Sequence, residues 1–463
     1  MSSAKNGCLK VYVFNVGTGE HILVQLPNGM YGIIDFYYPS DDIGFAYRQN
    51  TSRKLGEVPA LRFLKDRHAK GEKIRLAFIH VSHPDHDHIK GIKAFLDWIE
   101  EDSPIKHKAP IQVDNLWWFG GTDFLMYYEA FHAAYKKEFY SVSGEAQKDV
   151  DTSLQHSFLS ALEAIKSFSL SHKKANCPPC VDISLLHGNL DGHSLRVFNL
   201  TPPEAEVHTF VMRNLTKFIR LLVKLHRPAR SPKEQRIREK WKHYLILKNR
   251  ISASLLFKTP HFKLLFGGDV EKPIWNKTFR RFRSRSLDIL FGSFQSDWIK
   301  ASHHGSKYSS SVAIWKQFLR KAGKSLIAIS AGPNKKNNHP HGQTVKDIKK
   351  SSKDQSCDVM ISATNFSLSD LRAENMPEER MDDMFDLDRS SGISASLRKK
   401  RMLARGIYNP SPKKFKGYQD QADMLIALIY EFHSPKDDTE EKQIIRKLGV
   451  SSLLYKTQEK AKK

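Results

Sequence analysis

Leu76 to Gly91 reads LAFIHVSHPDHDHIKG, and the rest of the chain is interpretable from it. Leu76 to Val81 is mostly apolar, with branched and aromatic residues, the composition of a buried strand. The run stops at Ser82, and His83, Pro84, Asp85, His86, Asp87 and His88 come next. Beyond them Ile89, Ile92, Leu96 and Ile99 recur at helical spacing, with charges between. Histidines and aspartates therefore crowd a strand-to-helix loop. Imidazole nitrogens and carboxylate oxygens are ligands for zinc and, where oxygen predominates, for manganese or iron. Pro84 biases His83 toward an extended backbone, which helps hold the donors in place. The bland alternative is a polar loop that happens to be rich in histidine. Ligand-type residues in HxDxDH order at the end of a buried strand favour a metal site.

Working outward, the 463 residues exceed the usual ceiling for a single core, so one large domain with insertions or two domains is expected. Apolar content of 40% with 27% charged residues is that of a soluble globular protein. The formal charge of +24 is not ordinary and implies an anionic partner: nucleic acid, another polyphosphate, an acidic protein or an anionic membrane surface. No apolar run approaches the ~18 residues of a membrane span. The first residues lack the basic region, apolar core and cleavage site of a secretory signal. Four cysteines argue for a reducing compartment, so a cytoplasmic location is the expectation.

On the N-terminal side, Leu9–Val16, His21–Leu26 and Tyr31–Asp35 are short β-prone runs separated by Gly17-Thr18-Gly19 and Pro27-Asn28-Gly29, a β-meander. Asp35 ends an apolar strand, where a carboxylate could support a metal-bound histidine or simply begin a surface turn. Ala60 to Lys70 reads as a basic helix. On the C-terminal side, Trp117-Trp118-Phe119 could stack on a base but is more typical of core. Cys177 and Cys180 have CxxC spacing, which supplies only half a zinc site. From Phe210 to Arg250 an apolar stripe (Phe210, Leu215, Phe218, Leu222, Leu225) is surrounded by lysines and arginines, opposed only by Glu234 and Glu239. This basic insertion, about 206–250, could track a phosphate backbone through residues such as Arg236, Arg238, Lys240 and Lys242, pack on a partner, or lie on a membrane. A hairpin over Ile251–Phe266 leads through Gly267 and Gly268 to Asp269, and Lys277–Arg285 (KTFRRFRSR) is a second basic knot. Trp298–Ser302 and Ser325–Ser330 read as further strands, followed by His303-His304-Gly305-Ser306 and by His339-Pro340-His341. Every candidate ligand comes after an apolar strand. Towards the C-terminus come an acidic cluster near Asp382, a basic run at Arg398–Arg405 and a helix-like stretch over Ala422–Phe432.

Val11-Tyr12-Val13-Phe14-Asn15-Val16-Gly17-Thr18-Gly19-Glu20, Ile33-Ile34-Asp35, the Ser82–His88 loop, Leu264–Asp269, Lys300–Ser306 and Ile329–Asn334 through His341 resemble, in this order, the metallo-β-lactamase fold. Within it they are most similar to the soluble hydrolase domain of the bacterial DNA-uptake channel and its stand-alone relatives. The resemblance implies an α/β chain, an αββα sandwich with metals at one edge. It places that domain at residues 1–350, with the basic helical insertion inside it and a C-terminal extension of unknown role at 351–463. It also implies two divalent metal ions, zinc ahead of manganese or iron. One would be held by His83, Asp85 and a bridging Asp269, the other by Asp87, His88, Asp269 and one of His303 and His304. His303 is favoured, because neighbouring residues after an extended strand point in opposite directions. Two departures stand out. Asp85 replaces the second histidine of the family's HxHxDH loop, and the further histidine before the late aspartate has no clear counterpart, although His187, His193 and His208 lie in that region. The oxygen-rich set shifts the balance toward manganese.

The activity implied by the resemblance is that of a dinuclear metal-dependent hydrolase in which the cations activate a water. Asp87 and Asp269 would orient it, His339 or His341 would hydrogen-bond the scissile oxygen or protonate the leaving group, and Lys307 would hold a phosphate. The fold supports several chemistries. The charge tips the expectation to a phosphodiesterase or nuclease acting on nucleic acid. A hydrolase of a small anionic metabolite or nucleotide is one alternative. Another is a non-catalytic, metal-stabilised module that binds nucleic acid or a protein partner in a defence system. Each phosphate neutralised by Lys or Arg contributes a log–log salt slope of roughly −0.7 to −0.9. Reversing Arg236, Arg238, Lys240 and Lys242 to Glu is therefore expected to weaken DNA or RNA binding and flatten that slope in a salt titration. An unchanged slope would remove the insertion from nucleic-acid binding.

Overall fold

The computed structural model describes residues 9–37 apart from 15, 17 and 18, then 59–69, 71–101, 111–119, 161, 164–168, 179–209 apart from 193, 231–232, 246–331, 339–364 and 427–432. The chain is mixed α/β, with two many-stranded sheets and several helices.

The meander forms as its turn signals require. β1 (Leu9–Phe14), β2 (Ile22–Gln25) and β3 (Tyr31–Ile34) pair antiparallel in sequence order. β3 then pairs in parallel with β4 (Arg75–Val81), and β4 with both β5 (Gln112–Val113) and β6 (Leu116–Phe119). β7 (Pro179–Cys180) extends the sheet beyond β6. The second sheet repeats this plan. β8 (Ser184–His187), β9 (Arg196–Thr201), β10 (Ser254–Lys258) and β11 (Lys263–Phe266) pair antiparallel. β12 (Trp298–Lys300), β13 (Gly323–Ile329) and β14 (Cys357–Ala363) continue from β11 in parallel. β15 (Ala427–Phe432) returns to the first sheet and pairs antiparallel with β1.

Parallel neighbours cannot be joined by a tight turn, so helices carry the crossovers. α1 (Pro59–Ala69) precedes β4, while α2 (His86–Ile89) and α3 (Ile92–Glu101) come after it. α4 (Glu204–Thr209) comes after β9. α5 (Lys272–Ser284) and α6 (Asp288–Phe291) join β11 to β12, α7 (Val312–Phe318) leads to β13, and α8 (Gly342–Gln355) to β14.

The period-2 alternation of the strands sorts their side chains between cores. Leu9, Val11, Ile22, Val24, Phe78 and Trp117 of the first sheet share one buried cluster with Val197, Leu255, Phe257, Leu264, Trp298 and Leu326 of the second. The opposite face of the first sheet, with Tyr12, Leu23, Ile33, Ile79 and Trp118, packs with Leu64 of α1 and Phe95 and Ile99 of α3. The opposite face of the second, with Phe198, Leu256, Leu265, Ile299 and Ile327, packs with Trp275 and Phe279 of α5, Trp315 of α7 and Ile348 of α8. Both tryptophans of the 117–118 pair are thus core residues. Among the described residues no helix is long and apolar enough to cross a membrane.

Two expectations about the C-terminal part need correction. A boundary at residue 350 falls inside α8, and β14 and β15, both beyond it, form the outer strands of the two sheets. The helix-like pattern over Ala422–Phe432 contains a strand, not a helix. Its run is apolar enough for either structure, and the free hydrogen-bonding edge of β1 decides the matter, with Leu9 opposite Phe432 and Phe14 opposite Ala427. Arg236, Arg238, Lys240 and Lys242, the apolar stripe of the insertion, His193, Cys177, the acidic cluster and the Arg398–Arg405 run lie outside the described residues.

Gly32 on β3 makes room for Phe78, its partner on the neighbouring strand β4. A Cβ there would lie 2.0 Å from Cε1 of Phe78, whose ring stacks on Trp117 at 4.8 Å and meets Phe257 edge-on at 5.6 Å. The ring is wedged between sheets and has nowhere to retreat. Gly32→Ala is expected to cost about 1–3 kcal/mol in thermal or denaturant unfolding. Gly32→Ala/Phe78→Leu should cost less than the sum of its two single changes, because the smaller side chain makes room; strict additivity would locate the strain elsewhere.

Candidate metal centre

The candidate site lies beyond the carboxyl ends of β3, β4, β11, β12 and β13, where parallel strands leave an opening for loops. Its support begins at Asp35, directly after β3. Asp35 is fully buried with a left-handed backbone (φ 57), and its N–H donates to the His80 carbonyl at 2.9 Å. Its carboxylate accepts from the Ser82 N–H at 2.8 Å, the Ser82 hydroxyl at 2.7 Å and His88 Nδ1 at 2.7 Å. A carboxylate only accepts, so His88 carries its proton on Nδ1 and turns the lone pair of Nε2 into the site. The Ser82 hydroxyl already donates to Asp35, so it accepts from His83 Nδ1 at 3.0 Å and fixes that ring in the same tautomer. His304 Nδ1 donates to the Ser330 carbonyl at 2.8 Å, with the same consequence. Three imidazoles are thereby oriented by hydrogen bonds behind them.

Asp269 stands at the meeting point. Gly268, with φ 51, makes the turn that presents it; a Cβ there would lie 2.7 Å from the Ala253 carbonyl. Around its carboxylate, His88 Nε2 lies at 3.3 Å, His303 Nε2 at 3.7 Å, and His83 and His304 Nε2 each at 3.8 Å. Asp87 adds an oxygen 3.5 Å from His304 Nε2 and another 4.0 Å from His88 Nε2. Nε2 of His83, His88 and His304 and Oδ1 of Asp269 are buried without a hydrogen-bond partner. Lone pairs facing one another across 3.3–3.8 Å repel unless a cation or protons stand between them, and buried polar atoms are rarely left unsatisfied. Glu20, His88, Asp269 and His304 each offer a ligand atom within 4.8 Å of the others, and all four are buried. The donor set therefore fits a metal ion.

The electrostatics agree. Burial lowers the His88 pKa, but the carboxylates of Asp269, Asp35 and Asp87 outweigh it and hold the ring well above its ordinary value. Burial raises that of Asp269, yet His88, His303 and His304 hold it well below the usual carboxylate range. His83 is pushed down to about 4, first by burial and then by His88, so it faces the site neutral.

The structure thus brings together His83, Asp87, His88, Asp269, His303 and His304. Asp85 lies beside them, and one of its oxygens caps α2 by accepting from the His86 N–H at 2.8 Å. The expectation that His303 and His304 point in opposite directions assumed an extended backbone. Both residues instead adopt left-handed φ, 49 and 52, in a tight turn, so both rings reach Asp269. His304 is buried and anchored, whereas the His303 side chain is 21% exposed with Nδ1 toward Glu271 and Asn249. His339 sits 5.7 Å from His303 and 6.2 Å from His304 between ring centres, and burial pushes its pKa to about 3. His341 instead caps α8, Nδ1 accepting from the Gln343 N–H at 3.4 Å. Lys307 is exposed over the Tyr308 ring. His187 and His208 stand apart from the cluster: His187 accepts from the Asn189 N–H, and His208 is an exposed residue of α4.

Sequence reading missed Glu20 and Lys300. The available signal was a charged residue in each of two otherwise buried segments, Lys300 closing a strand of three buried residues.

No family model matches the chain, and no curated protein matches it.

The carboxylates of Asp269, Asp35 and Asp87 favour the protonated ring of His88 when no cation is bound, so a cation binding at its Nε2 competes with a proton. Apparent affinity should therefore rise with pH until that ring deprotonates in the free protein. Calorimetry at pH 7 in buffers of different ionisation enthalpy should register net proton release. Asp35→Asn removes the charge behind His88 and is expected to weaken binding roughly 10- to 100-fold. Proton-neutral, pH-independent uptake would contradict this assignment.

Proposed function

We propose that the chain is a metallo-β-lactamase-like αββα hydrolase with a dinuclear metal centre, acting on phosphodiester bonds of nucleic acid. The observation that carries the reading is the convergence of buried His83, His88, Asp269 and His304 with half-buried Asp87 and His303, three rings being oriented by Asp35, Ser82 and Ser330. When bound, divalent cations there would supply Lewis acidity, lowering the pKa of a water and neutralising charge on the attacked group.

The chain's own groups divide the remaining work. His83, His88 and His304 present Nε2 lone pairs, and Asp269 presents a carboxylate between them. Asp87, with its side chain 32% exposed, is the acidic group best placed to accept a hydrogen bond from an attacking water. His339 stays neutral beside the histidine pair, so it suits donating or accepting a hydrogen bond at the scissile oxygen rather than acting as a charged acid. His341 is the weaker candidate, since its Nδ1 is occupied by the helix cap.

The charge of the chain supports a polyanionic substrate. So does α5, which starts directly after Glu271 with no acidic residue in its first turn and presents Arg280 and Arg283 to solvent, with exposed Arg285 just past its end. Salt-sensitive association along such a surface would bring phosphates to the centre.

Protein purified without chelator and supplied with manganese or zinc is expected to hydrolyse bis-p-nitrophenyl phosphate and labelled DNA or RNA. His83→Ala and Asp269→Asn should abolish turnover and lower bound metal while leaving the circular dichroism spectrum nearly unchanged. A metal-loaded protein inert toward all these phosphodiesters would exclude the nuclease reading and leave a hydrolase of another anion or a binding module.

A further inference from the structure

Glu20 comes just after the first meander turn, where its backbone N–H donates to the Asp87 carbonyl at 2.9 Å. Its side chain is 1% exposed and faces Lys300, the last residue of β12, which is fully buried. Lys300 Nζ donates to Glu20 Oε2 at 2.5 Å and to the Ala301 carbonyl at 3.1 Å. A buried ion pair would be complete if both carboxylate oxygens were satisfied. They are not: Glu20 Oε1 is buried without a partner. Desolvating a carboxylate costs several kcal/mol and burial raises the Glu20 pKa, so leaving one oxygen bare beside other bare acceptors is unfavourable unless a cation or a proton takes it up. The same carboxylate contributes an atom within 4.8 Å of donors from His88, Asp269 and His304.

We infer that Glu20 is a ligand of the cation held by His88, Asp269 and His304, with Lys300 fixing its carboxylate in place. This rests on the metal-centre reading and adds to it a residue outside the expected ligand set. It makes the two halves of the centre unequal. The His88 side gains a second buried carboxylate beside Asp269, whereas the His83 side gains none. Two imidazoles with two carboxylates, and Asp87 close by, favour manganese or iron more than a histidine-rich set would. Lys300 offsets the added negative charge, so the cation adds charge to a pocket that is not overly anionic.

Glu20→Gln alone would leave Lys300 charged and unpaired in the interior, and that variant could fail for folding reasons. Glu20→Gln/Lys300→Met removes both charges and preserves shape. Metal-stripped wild type, Lys300→Met and the double variant would be titrated with manganese, tracked by the paramagnetic resonance signal of free Mn(II), with melting of each stripped protein as the folding control. The double variant is expected to melt near the stripped wild type yet to bind its tightest manganese at least about tenfold more weakly. Lys300→Met, which retains the carboxylate, should keep wild-type stoichiometry. Wild-type manganese affinity in a folded double variant would overturn the role of Glu20 alone. A wild type that takes up no manganese, zinc or iron would overturn the metal centre, and this inference with it.

Discussion

The buried carboxylate of Asp35 is the constraint on which the site depends. It is enclosed with no solvent access, and it survives there because donors surround it: the Ser82 N–H and hydroxyl and His88 Nδ1. Its left-handed backbone is held from both sides. The Asp35 N–H bonds to His80, and its carbonyl accepts from His21 Nδ1 at 2.6 Å. His21 Nε2 in turn accepts from the Ala60 N–H at 3.0 Å, a role open to the neutral ring that burial favours by pushing its pKa to about 4. One residue thus orders the loop after β4 through its carboxylate and the start of α1 through its backbone carbonyl and His21. It sets the tautomer of His88 directly and, through Ser82, that of His83.

The second constraint is how the two sheets are joined at that end. The Ala253 N–H donates to the Ser82 carbonyl at 2.8 Å, and the Asp269 N–H donates to the Ser252 hydroxyl at 2.9 Å. The His303 N–H donates to the Gly268 carbonyl at 2.8 Å, and the Ser330 hydroxyl donates to the Gly19 carbonyl at 2.9 Å. These bonds stitch loops from both sheets, so donors distant in sequence share one position to within a few ångströms. Rigidity of this kind keeps lone pairs converging where they would otherwise relax apart. The cost is concentrated like charge, and the Lys300 ammonium paired with Glu20 offsets part of it.

The sequence by itself determined much of this. The HxDxDH loop marked a buried strand end with ligand chemistry, the turn signals around Pro27-Asn28-Gly29 marked the meander, and Gly267-Gly268 before Asp269 marked a sharp approach of backbone to the site. These features are local: a strand's period, a turn's φ and a helix's spacing are properties of a few neighbouring residues. Tertiary structure alone decided the rest. Asp35 reads equally as a support or as a surface turn until its neighbours are known. The direction of His303 and His304 depended on a left-handed turn fixed by the Gly268 and Ser330 carbonyls. Ala427–Phe432 became a strand because β1 had an open edge. Glu20 and Lys300, 280 residues apart, acquire meaning only from their contact, since nothing local to either states which partner makes its burial tolerable.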